Sequence, residues 1–199
     1  MESLLKKERK NVEDLKTDCE LLVEGDIKEI DMGKVNDNYF INHVGMGLDY
    51  YVVKNAENFK FVPSAFVLSV FYSISKEKPW DIKLEIDNKV KYEGTAWLVT
   101  ACNGKYFGGG MKAAPDAELD DGFFGIILAK CISKIKFVGN FSKVFKGKHL
   151  EVEGIEFFRG KNVAVKCTKN VGYEINGELI SEEKEINIKI IERALKIRV

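Results

Sequence analysis

The sequence predicts a mainly β (α+β) fold, in which antiparallel strands are accompanied by two or three helices. About ten short segments with strand-like alternation or apolar runs follow residue 26, whereas only three stretches carry helical periodicity. The chain has 199 residues, is 45% hydrophobic, and balances 31 basic against 31 acidic side chains. This length and composition indicate one globular domain or slightly more, and they exclude disordered, collagen-like and coiled-coil proteins.

The first 25 residues predict one amphipathic helix. Apolar side chains recur at near-helical spacing over residues 4–23, and Gly25 stands where a C-terminal cap is expected. The segment is charged and lacks an apolar centre behind a basic stub, so we expect no signal peptide. The change from helix to strands near Gly25 is the one domain boundary that the sequence indicates.

From residue 27 onward the sequence predicts short strands joined by tight turns. Asp87-Asn88 and Asn176-Gly177 are typical of two-residue hairpin turns. The predicted strand segments are residues 38–44, 81–87, 89–92, 95–102, 123–129, 151–158, 163–167, 173–180, 186–190 and 195–199. This number of strands predicts a β-rich body with antiparallel pairing.

Two further helices are predicted within this β-rich body. Residues 62–75 are apolar nearly all round, which is typical of a buried helix. Residues 131–145 carry an apolar stripe that contains Ile132, Ile135, Val138, Phe141 and Phe145. The most apolar stretch, residues 61–74, is shorter than the ~20 residues that a membrane-spanning helix needs, so no span is expected.

The cysteine and histidine side chains predict neither a metal centre nor a nucleophilic triad. The four cysteines lie far apart and form no C-x-x-C pair, so we expect reduced, mostly buried thiols in a cytoplasmic protein. They are Cys19, Cys102, Cys131 and Cys167. Neither His43 nor His149 has a serine or cysteine and an acid at a recognisable spacing.

A glycine-rich loop follows the apolar segment 95–102. Its sequence is Asn103-Gly104-Lys105-Tyr106-Phe107-Gly108-Gly109-Gly110, and the four glycines allow the backbone to approach a ligand closely. It is not a P-loop, because no G-K-[ST] ending closes it. Gly45-Met46-Gly47 lacks the third glycine of the dinucleotide fingerprint, whose place Tyr50 takes. An ordinary turn remains an alternative for both segments.

An acidic segment, residues 116–122, carries four carboxylates. It fails as an EF-hand because Asp121 stands where that loop needs glycine and Ile127 stands where it needs glutamate. One Mg²⁺ held by a carboxylate and backbone carbonyls is compatible with the segment, since hard cations take oxygen ligands. A solvated acidic turn is the alternative.

Lysine is concentrated between Gly122 and Leu150, a stretch without aspartate or glutamate. The lysines there are Lys130, Lys134, Lys136, Lys143, Lys146 and Lys148. A solvated helix face explains this pattern, and so does a surface for anionic lipid, where each lysine contributes ~1 kcal/mol. The sequence leaves both explanations open.

Six motifs occur in the order seen in bacterial diacylglycerol kinase-like lipid kinases, a family that includes the sphingosine kinases. They are residues 31–36 (DMGKVN), 39–42 (YFIN) with 45–49 (GMGLD), 103–111 (NGKYFGGGM), 115–122 (PDAELDDG), 147–149 (GKH) and 176–178 (NGE). The chain therefore resembles that family from about residue 11 to its C-terminus. The third and fourth motifs are the most specific part of the resemblance.

The resemblance implies a two-part organisation of the chain. Residues 26–199 resemble the antiparallel β-sandwich-like C-terminal domain of such kinases, and residues 1–25 resemble the last helix of an α/β nucleotide-binding domain. The family's G-G-D-G-T nucleotide loop is absent from this chain, so activity of the chain alone stays open. A nucleotide-binding domain in cis or in trans is implied, with ATP as co-substrate and a homodimer as a further option by analogy.

The resemblance also implies roles for particular residues. Glu178 is expected to be the general base that takes the proton of a diacylglycerol-like hydroxyl. Mg²⁺ is expected on Asp121 and on the carbonyls of Glu118 and Phe123, where it pins the loop. The expected cleft loop contains Asn103, Gly104, Gly108, Gly109 and Gly110, and the expected membrane-facing lysines are Lys130, Lys134, Lys143 and Lys146.

One residue departs from the family's pattern. The family usually has Asp-Gly-Glu where this chain has Asn176-Gly177-Glu178. The amide preserves a hydrogen-bonding turn but removes a charge. Three hypotheses therefore remain: the substrate domain of a lipid kinase, a non-catalytic lipid-binding or regulatory domain at anionic membranes, and a β-sandwich interaction domain. None of them requires a nucleic-acid partner, and all are compatible with a cytoplasmic protein that associates peripherally with the membrane.

Overall fold

The computed structural model describes residues 23–59 and 65–199, and these residues contain nine β-strands and three α-helices. In chain order the elements are β1 (Ile27–Val35), β2 (Asn38–Phe40), β3 (His43–Gly47), α1 (Leu48–Ala56), α2 (Ala65–Lys76), β4 (Trp80–Ile86), β5 (Lys89–Cys102), β6 (Phe124–Lys130), α3 (Lys134–Asn140), β7 (Ile155–Gly160), β8 (Asn162–Ile175) and β9 (Glu178–Arg198). Short 3-10 helices span Glu57–Phe59, Phe141–Lys146 and Lys148–Glu151. The predicted helix over residues 4–23 and the start of the predicted helix over residues 62–75 lie outside the described residues.

The nine strands form one antiparallel sheet, which confirms the predicted pairing. The strand order is β2-β1-β9-β8-β3-β5-β6-β7, and β4 pairs with both β5 and β8. The long strands β5 and β8 therefore have β3 between them at one end and β4 between them at the other. This arrangement closes part of the sheet on itself and encloses a core, as expected of a β-sandwich-like domain.

Both predicted two-residue turns are present. Asp87 and Asn88 join β4 to β5, and Asn176 and Gly177 join β8 to β9. All four residues have positive φ angles, between 48° and 92°. Such turns match the right-handed twist of the flanking strands, and asparagine, aspartate and glycine adopt them at low cost.

Several predicted strands differ in extent from the observed ones. Residues 38–44 form two strands, β2 and β3, whereas residues 89–92 and 95–102 form the single strand β5. Residues 186–190 and 195–199 both belong to β9, which extends to Arg198. Polar residues interrupt the alternation inside these long strands, but backbone pairing to two neighbours keeps the strands continuous.

The main core lies between the strands and contains aliphatic and aromatic side chains from β1 to β6, β8 and β9. Phe40 and Phe124 stack across it with ring centroids 5.5 Å apart. A second apolar cluster forms where α1 and α2 cover the sheet, and it includes Leu48, Val70 and Trp97. The functional site described below lies at the border of this second cluster.

The helical segments correct two predictions. α1 follows Gly47 directly and was not predicted. The helix predicted over residues 131–145 is shorter: α3 covers Lys134–Asn140, and the chain continues as a 3-10 helix over Phe141–Lys146. Ser133 caps α3 by accepting from the backbone N–H of Lys136. Gly139 lowers helix propensity near the point where the α-helix ends.

Candidate functional site

Two adjoining cavities open at one edge of the sheet. One is mixed in polarity, with a volume of about 470 Å³, and the other is a mostly apolar cavity of about 100 Å³. Asp49, Phe66 and Phe107 line both cavities. We call them the polar cavity and the apolar cavity. Their shared wall suits a ligand with a polar end and an apolar end.

The strand register explains why loops distant in sequence meet at the polar cavity. In β3, Val44 pairs with Ala101 of β5 on one side and with Ile175 of β8 on the other. The loops that follow β5 and β8 therefore leave the sheet at the same edge. Gly108, Gly109 and Gly110 of the first loop and the Asn176-Gly177 turn of the second line the polar cavity.

A cluster of ionisable side chains lies at the wall of the polar cavity. The carboxylate of Asp49 accepts a hydrogen bond from the Thr100 hydroxyl. Glu174 is 1% exposed, and its Oε2 accepts from the backbone N–H of Gly177 at 2.7 Å. His43 Nε2 lies 3.0 Å from Glu174 Oε1. Two carboxylates and an imidazole thus share one enclosed space.

Gly45 permits this close arrangement. A Cβ atom at this position would lie 2.6 Å from both the Asp49 Oδ2 and the Glu174 Oε1 atoms. Any larger residue would therefore push the two carboxylates apart. The His43 ring is held separately, since it stacks on Phe107 with ring centroids 4.2 Å apart and an interplanar angle of 12°.

The electrostatics of the cluster disfavour additional negative charge. Asp49 borders both cavities, but its carboxyl group is enclosed by protein atoms. This burial, together with the nearby Glu174, raises the pKa of Asp49 to about 6, although the Thr100 hydroxyl and His43 act in the opposite direction. Burial, and then Asp49 and Glu174, also raise the pKa of the Cys102 thiol well above its usual value.

Asn176 has a structural role in the turn. Its Oδ1 accepts from the backbone N–H groups of Asn42 and His43 at 3.1 and 3.2 Å, and its own N–H donates to the His43 carbonyl at 3.1 Å. These contacts need only an oxygen acceptor, which either asparagine or aspartate supplies. The departure from the family's aspartate therefore preserves the turn while it lowers the negative charge beside the cavity.

Glu178, the predicted general base, is the first residue of β9 and is exposed. It pairs with Ile175 across the turn and lies outside the set of residues that line the two cavities. Within the described residues its carboxylate forms no hydrogen bond and no ion pair. It lies one residue beyond the Gly177 that lines the polar cavity.

The predicted cleft loop divides into a structural part and a cavity-lining part. Asn103 is fully buried, and its Nδ2 donates to the carbonyls of Asp31 and Ile41. The N–H groups of Asn103 and Gly104 both donate to the Asn42 carbonyl. Of the five predicted residues, the three consecutive glycines line the polar cavity, together with Tyr106 and Phe107 of the same loop, and all three glycines have positive φ angles.

A fully buried carboxylate fixes the acidic loop. Asp31 Oδ2 accepts from the N–H of Gly122 and Oδ1 from the N–H of Arg193, both at 2.7 Å. Its own N–H donates to the Leu119 carbonyl at 2.6 Å. The loop is thereby fixed to β1 and β9 by hydrogen bonds within the chain.

The predicted metal ligands offer oxygen atoms, which suit a hard cation, but the Arg159 guanidinium already pairs with one of these ligands. Asp121 Oδ2 pairs with the Arg159 guanidinium at 2.6 Å, and Oδ1 accepts from the Phe123 N–H at 2.9 Å. The Glu118 side chain instead pairs with Lys105 at 2.8 Å. No cluster of three acidic, histidine or cysteine side chains suited to a metal occurs among the described residues. A cation here would rest on one carboxylate and backbone carbonyls, after Arg159 moves away.

The apolar cavity lies beneath the segment from α3 to the third 3-10 helix. Phe137, Phe141 and Val144 line it from above, and Val70 of α2 lines it from the side. The opposite face of the same segment exposes Ile135, which is 86% exposed. His149 also lines the cavity, and burial lowers the pKa of its imidazole, which favours the neutral form.

The four predicted membrane-facing lysines are not equivalent. Lys130 pairs with Glu156, and Lys134 donates to the Ser75 carbonyl at 2.8 Å. Lys143 and Lys146 are exposed and make no ion pair within the described residues. These two lysines therefore add positive charge, without an acidic partner among the described residues, to the surface beside the apolar cavity.

Two further sequence predictions, on membrane-spanning helices and on the cysteines, can be compared with the described residues. No helix there combines the length and the apolar character needed to cross a membrane. Cys102, Cys131 and Cys167 are free thiols, but Cys131 is exposed, so the prediction of mostly buried thiols holds for only part of the set.

A model of a known protein family matches most of the chain. The match covers residues 42–199, and the family is described as the YegS C-terminal NAD kinase beta sandwich-like domain. The chain belongs to this family. The resemblance to diacylglycerol kinase-like lipid kinases is thereby confirmed at the level of the C-terminal domain.

Individual relatives show how much of a longer protein the chain matches. The chain is 26% identical over 168 residues to a diacylglycerol kinase of Staphylococcus saprophyticus, and 28% identical over 171 residues to one of Bacillus subtilis. Each match covers 83% of this chain and 55% of the relative, so the chain spans about half the length of both relatives.

A solved structure of a diacylglycerol kinase from Bacillus anthracis shows the same fold. It is 20% identical, has a TM-score of 0.63, and is matched over 88% of this chain and 55% of its own length. This likeness confirms the β-rich fold of the chain.

Sequence reasoning missed the central cluster of the site. Asp49 lies inside a motif that was recognised, but no role was assigned to it, and His43 and Glu174 were not connected. His43 and Glu174 are 131 positions apart in sequence and meet only through the pairing of β3 with β8. A buried-strand pattern that contains a glutamate, as at Glu174, was the one available signal.

Proposed function

We propose that this chain is the substrate-binding half of a lipid kinase, in which a nucleotide-binding domain supplies ATP. The observation that carries the proposal is the apolar cavity joined to a polar cavity at the edge where the motifs of the family meet. The apolar cavity of about 100 Å³ has room for only a short part of an acyl chain, and a headgroup with a hydroxyl fits the polar one. The names of the matched relatives, which are diacylglycerol kinases, support a lipid alcohol as the acceptor.

In the proposed reaction, ATP transfers its γ-phosphate to the lipid hydroxyl. Glu178 takes the proton of that hydroxyl as its oxygen attacks, a role that needs an accessible carboxylate near the polar cavity. The exposure of Glu178 and its position one residue from Gly177 fit this role, provided that the nucleotide-binding domain covers it. In the domain organisation proposed here, residues 26–199 form the substrate domain, and the nucleotide-binding domain belongs to the same polypeptide or to another one.

Mg²⁺ in this proposal has a structural role at the acidic loop. Asp121 and the carbonyls of Glu118 and Phe123 would hold it, and the ion would supply positive charge where Arg159 now supplies it. The chain's own contacts already fix the loop through Asp31. The ion is therefore expected to add to the loop's stability rather than to create its shape.

The chain is also proposed to lie peripherally on anionic membrane. Ile135 and the exposed Lys143 and Lys146 lie on the outer face of the segment whose inner face lines the apolar cavity. A lipid could thus pass from the membrane into the cavity past one helical segment. The combination of an inserted apolar side chain with lysines at the headgroups is typical of interfacial binding.

The decisive experiment fuses this chain to the N-terminal part of the Bacillus subtilis diacylglycerol kinase that lies outside the match. Transfer of labelled phosphate from ATP to diacylglycerol in anionic mixed micelles is then measured for the fusion and for the chain alone. We expect transfer by the fusion only. Transfer by the chain alone would contradict the proposed division of labour between two domains.

Glu178→Gln in the active fusion tests the proposed base. The substitution is expected to lower turnover by about 10²-fold or more, because the amide cannot take the proton. Glu182→Gln, an exposed change on the same strand, is the matched control and should leave turnover unchanged. Near-normal turnover of the Glu178 variant would remove that residue from the role.

Vesicle binding tests the proposed membrane surface. Binding of the chain should rise with the fraction of anionic lipid and fall with added salt, since lysine attraction is screened. The double variant Lys143→Glu/Lys146→Glu should weaken binding, whereas Lys89→Glu/Lys91→Glu on exposed positions of β5 should do so much less. Salt-independent binding would contradict an electrostatic contribution.

A non-catalytic lipid-binding domain is the second candidate. The observation that favours it is Asn176, which removes a carboxylate beside the cavity while it preserves the turn. Such a domain would bind the same lipids in the same cavities. It would show lipid binding by the chain and no phosphate transfer by the fusion.

A further inference from the structure

A buried side chain of the preceding strand holds the turn that leads to Glu178. Glu174 belongs to β8 and is 1% exposed, and its Oε2 accepts from the backbone N–H of Gly177 at 2.7 Å. Gly177 directly precedes Glu178, so this hydrogen bond acts on the backbone beside the proposed proton acceptor. Hydrogen bonds to a carboxylate are stronger than those between neutral groups. The direction in which Glu178 leaves the turn therefore depends on where the Glu174 carboxylate lies.

A histidine of the neighbouring strand lies against this carboxylate. His43 Nε2 is 3.0 Å from Glu174 Oε1, which is an ion-pair distance. The ring stacks on Phe107 with ring centroids 4.2 Å apart. Its Nδ1 lies 3.5 Å from Asn42 Nδ2, which also donates to the Tyr106 carbonyl at 3.1 Å. Because an amide nitrogen only donates, Nδ1 is the acceptor and the proton of the neutral ring is on Nε2, beside Glu174.

The backbone of His43 holds the other residue of the turn. The Asn176 N–H donates to the His43 carbonyl at 3.1 Å, and the His43 N–H donates to Asn176 Oδ1 at 3.2 Å. The turn is thus held at both of its residues, at Asn176 by the backbone of His43 and at Gly177 by Glu174. Since Phe107 and Asn42 fix the His43 ring, the same contacts connect the glycine-rich loop to the turn.

The turn between β4 and β5 is held in a simpler way. There the exposed carboxylate of Asp87 accepts from the N–H groups of Lys161 and Asn162 at 3.1 and 2.9 Å. Glu174, in contrast, is buried beside the Asp49 carboxyl group, and a buried charge costs free energy unless it is compensated. An exposed carboxylate fixes a turn without this cost. The more costly arrangement therefore indicates that the exact position of the Asn176-Gly177 turn matters for more than folding.

We propose that Glu174 and His43 are positioning residues for Glu178: Glu174 holds the turn through Gly177, and His43 orients the Glu174 carboxylate. The inference rests on the proposed function, because Glu178 is the proton acceptor only in that reaction. It adds how this acceptor is oriented toward the lipid hydroxyl. Neither positioning residue needs to touch the substrate, since a displacement of a reacting group by about 1 Å is enough to lower a rate by ~10²-fold.

Hydrogen exchange on the whole 199-residue chain tests whether Glu174 holds the turn, and it does not depend on catalysis. Glu174→Ala removes the acceptor of the Gly177 N–H, whereas Glu174→Gln keeps an oxygen for it. By NMR, the Gly177 amide should exchange about tenfold or more faster in the alanine variant and within about threefold of the unaltered rate in the glutamine variant. The Asp87 amide of the other turn, which donates to the Asn162 carbonyl, should keep its rate in both.

Turnover of the fusion with the Bacillus subtilis kinase tests the consequence for Glu178. Glu174→Ala should lower kcat by about tenfold or more while KM for ATP and for diacylglycerol stays within about twofold, because binding is kept and only the proton acceptor is displaced. Glu174→Gln should restore most of kcat. Glu182→Gln, exposed on β9, is the control and should change neither constant.

His43→Phe tests the second positioning residue. It keeps an aromatic ring against Phe107 and removes the nitrogen beside Glu174. The Gly177 amide should exchange about threefold or more faster, and adding His43→Phe to Glu174→Ala should have no further effect, because His43 acts through Glu174. Additive effects would overturn this connection. If Glu174→Ala fails to fold, an unchanged Gly177 rate in His43→Phe would still overturn the role of His43.

The outcomes separate this inference from the proposed function. Unchanged Gly177 exchange in folded Glu174→Ala would overturn the inference, whatever the fusion does. Faster exchange with a normal kcat would overturn the positioning role and leave the proposed function in place. If the fusion of the unaltered chain transfers no phosphate, the proposed function is wrong, and the positioning role with it, even where exchange shows that Glu174 holds the turn.

Discussion

Two buried carboxylates in this molecule, Asp31 and Glu174, have opposite surroundings. Asp31 is fully buried in the acidic-loop region, and each of its oxygens accepts a backbone N–H at 2.7 Å. Glu174 is almost as deeply buried at the polar cavity, but only one of its oxygens has a donor. Both oxygens of Asp31 therefore bind backbone N–H groups, whereas Glu174 has one oxygen on a backbone N–H and the other beside the His43 ring.

The difference teaches where function is to be sought in this fold. A buried carboxylate that is completely hydrogen-bonded stabilises one conformation of the chain around it. A buried carboxylate that has one backbone donor and lies beside Asp49 and a cavity is less stabilised than one with two backbone donors. The acidic loop attracts attention in the sequence because of its four carboxylates, yet the less conspicuous Glu174 faces the cavity.

The largest expected effect comes from the fully satisfied carboxylate. Asp31→Asn turns one acceptor oxygen into an NH₂ group that faces a backbone N–H, so a hydrogen bond is lost and two donors are opposed. We expect a loss of about 3 kcal/mol in the free energy of unfolding, measured by urea denaturation. Glu174→Gln, which keeps the Gly177 hydrogen bond, should cost no more than about 1 kcal/mol. Similar losses for the two variants would show that the Asp31 and Glu174 carboxylates do not differ in their contribution to stability.

The next effect concerns pH and the Asp49 carboxyl. Its folded-state pKa of about 6 lies above the ordinary value of 3.8, so the folded state holds this proton more tightly than the unfolded state does. Stability from this group is therefore complete below about pH 4 and is lost as the pH rises through 6. The groups that face Asp49 are Glu174, His43, Thr100 and Cys102.

Asp49→Asn should remove that loss, because the amide has no proton to release. We expect the variant to gain about 2 kcal/mol over the unaltered chain at pH 7.5 and to lose this advantage as the pH falls below about 4, in urea titrations at several pH values. Glu182→Gln, whose side chain is exposed, serves as a control for general charge effects. A stability difference that stays constant across this pH range would rule out titration of Asp49 as its cause.

Much of the architecture could be predicted from the sequence because it depends on local signals. The Asp87-Asn88 and Asn176-Gly177 turns require residues that tolerate positive φ, and such residues are visible in the sequence. The antiparallel, β-rich character follows from alternation, and both of these predictions are confirmed. In contrast, α1 was missed because it carries aromatic and β-branched residues directly after a strand, a composition more typical of strands.

The candidate site could be predicted only where it lies in continuous motifs. The glycine loop and the Asn176-Gly177 turn were recognised, and both line the polar cavity. The contact between His43 and Glu174 depends on the register of β3 against β8, which no local pattern encodes. The pairing of Asp121 with Arg159 was missed for the same reason, since it joins the acidic loop to β7.

The smallest expected effect is the stability that a metal ion adds to the acidic loop, which Asp31 already fixes. Addition of Mg²⁺ should raise the melting temperature of the chain by a few degrees, and chelation should reverse the rise, if Asp121 holds the ion. The gain is small because the Asp31 hydrogen bonds persist without the ion and because Arg159 competes for the carboxylate. Arg159→Gln should enlarge the response by removing the competitor, whereas Asp121→Ala should abolish it. Equal responses in all three proteins would exclude Asp121 as a ligand and leave Asp31 as the carboxylate that fixes this loop.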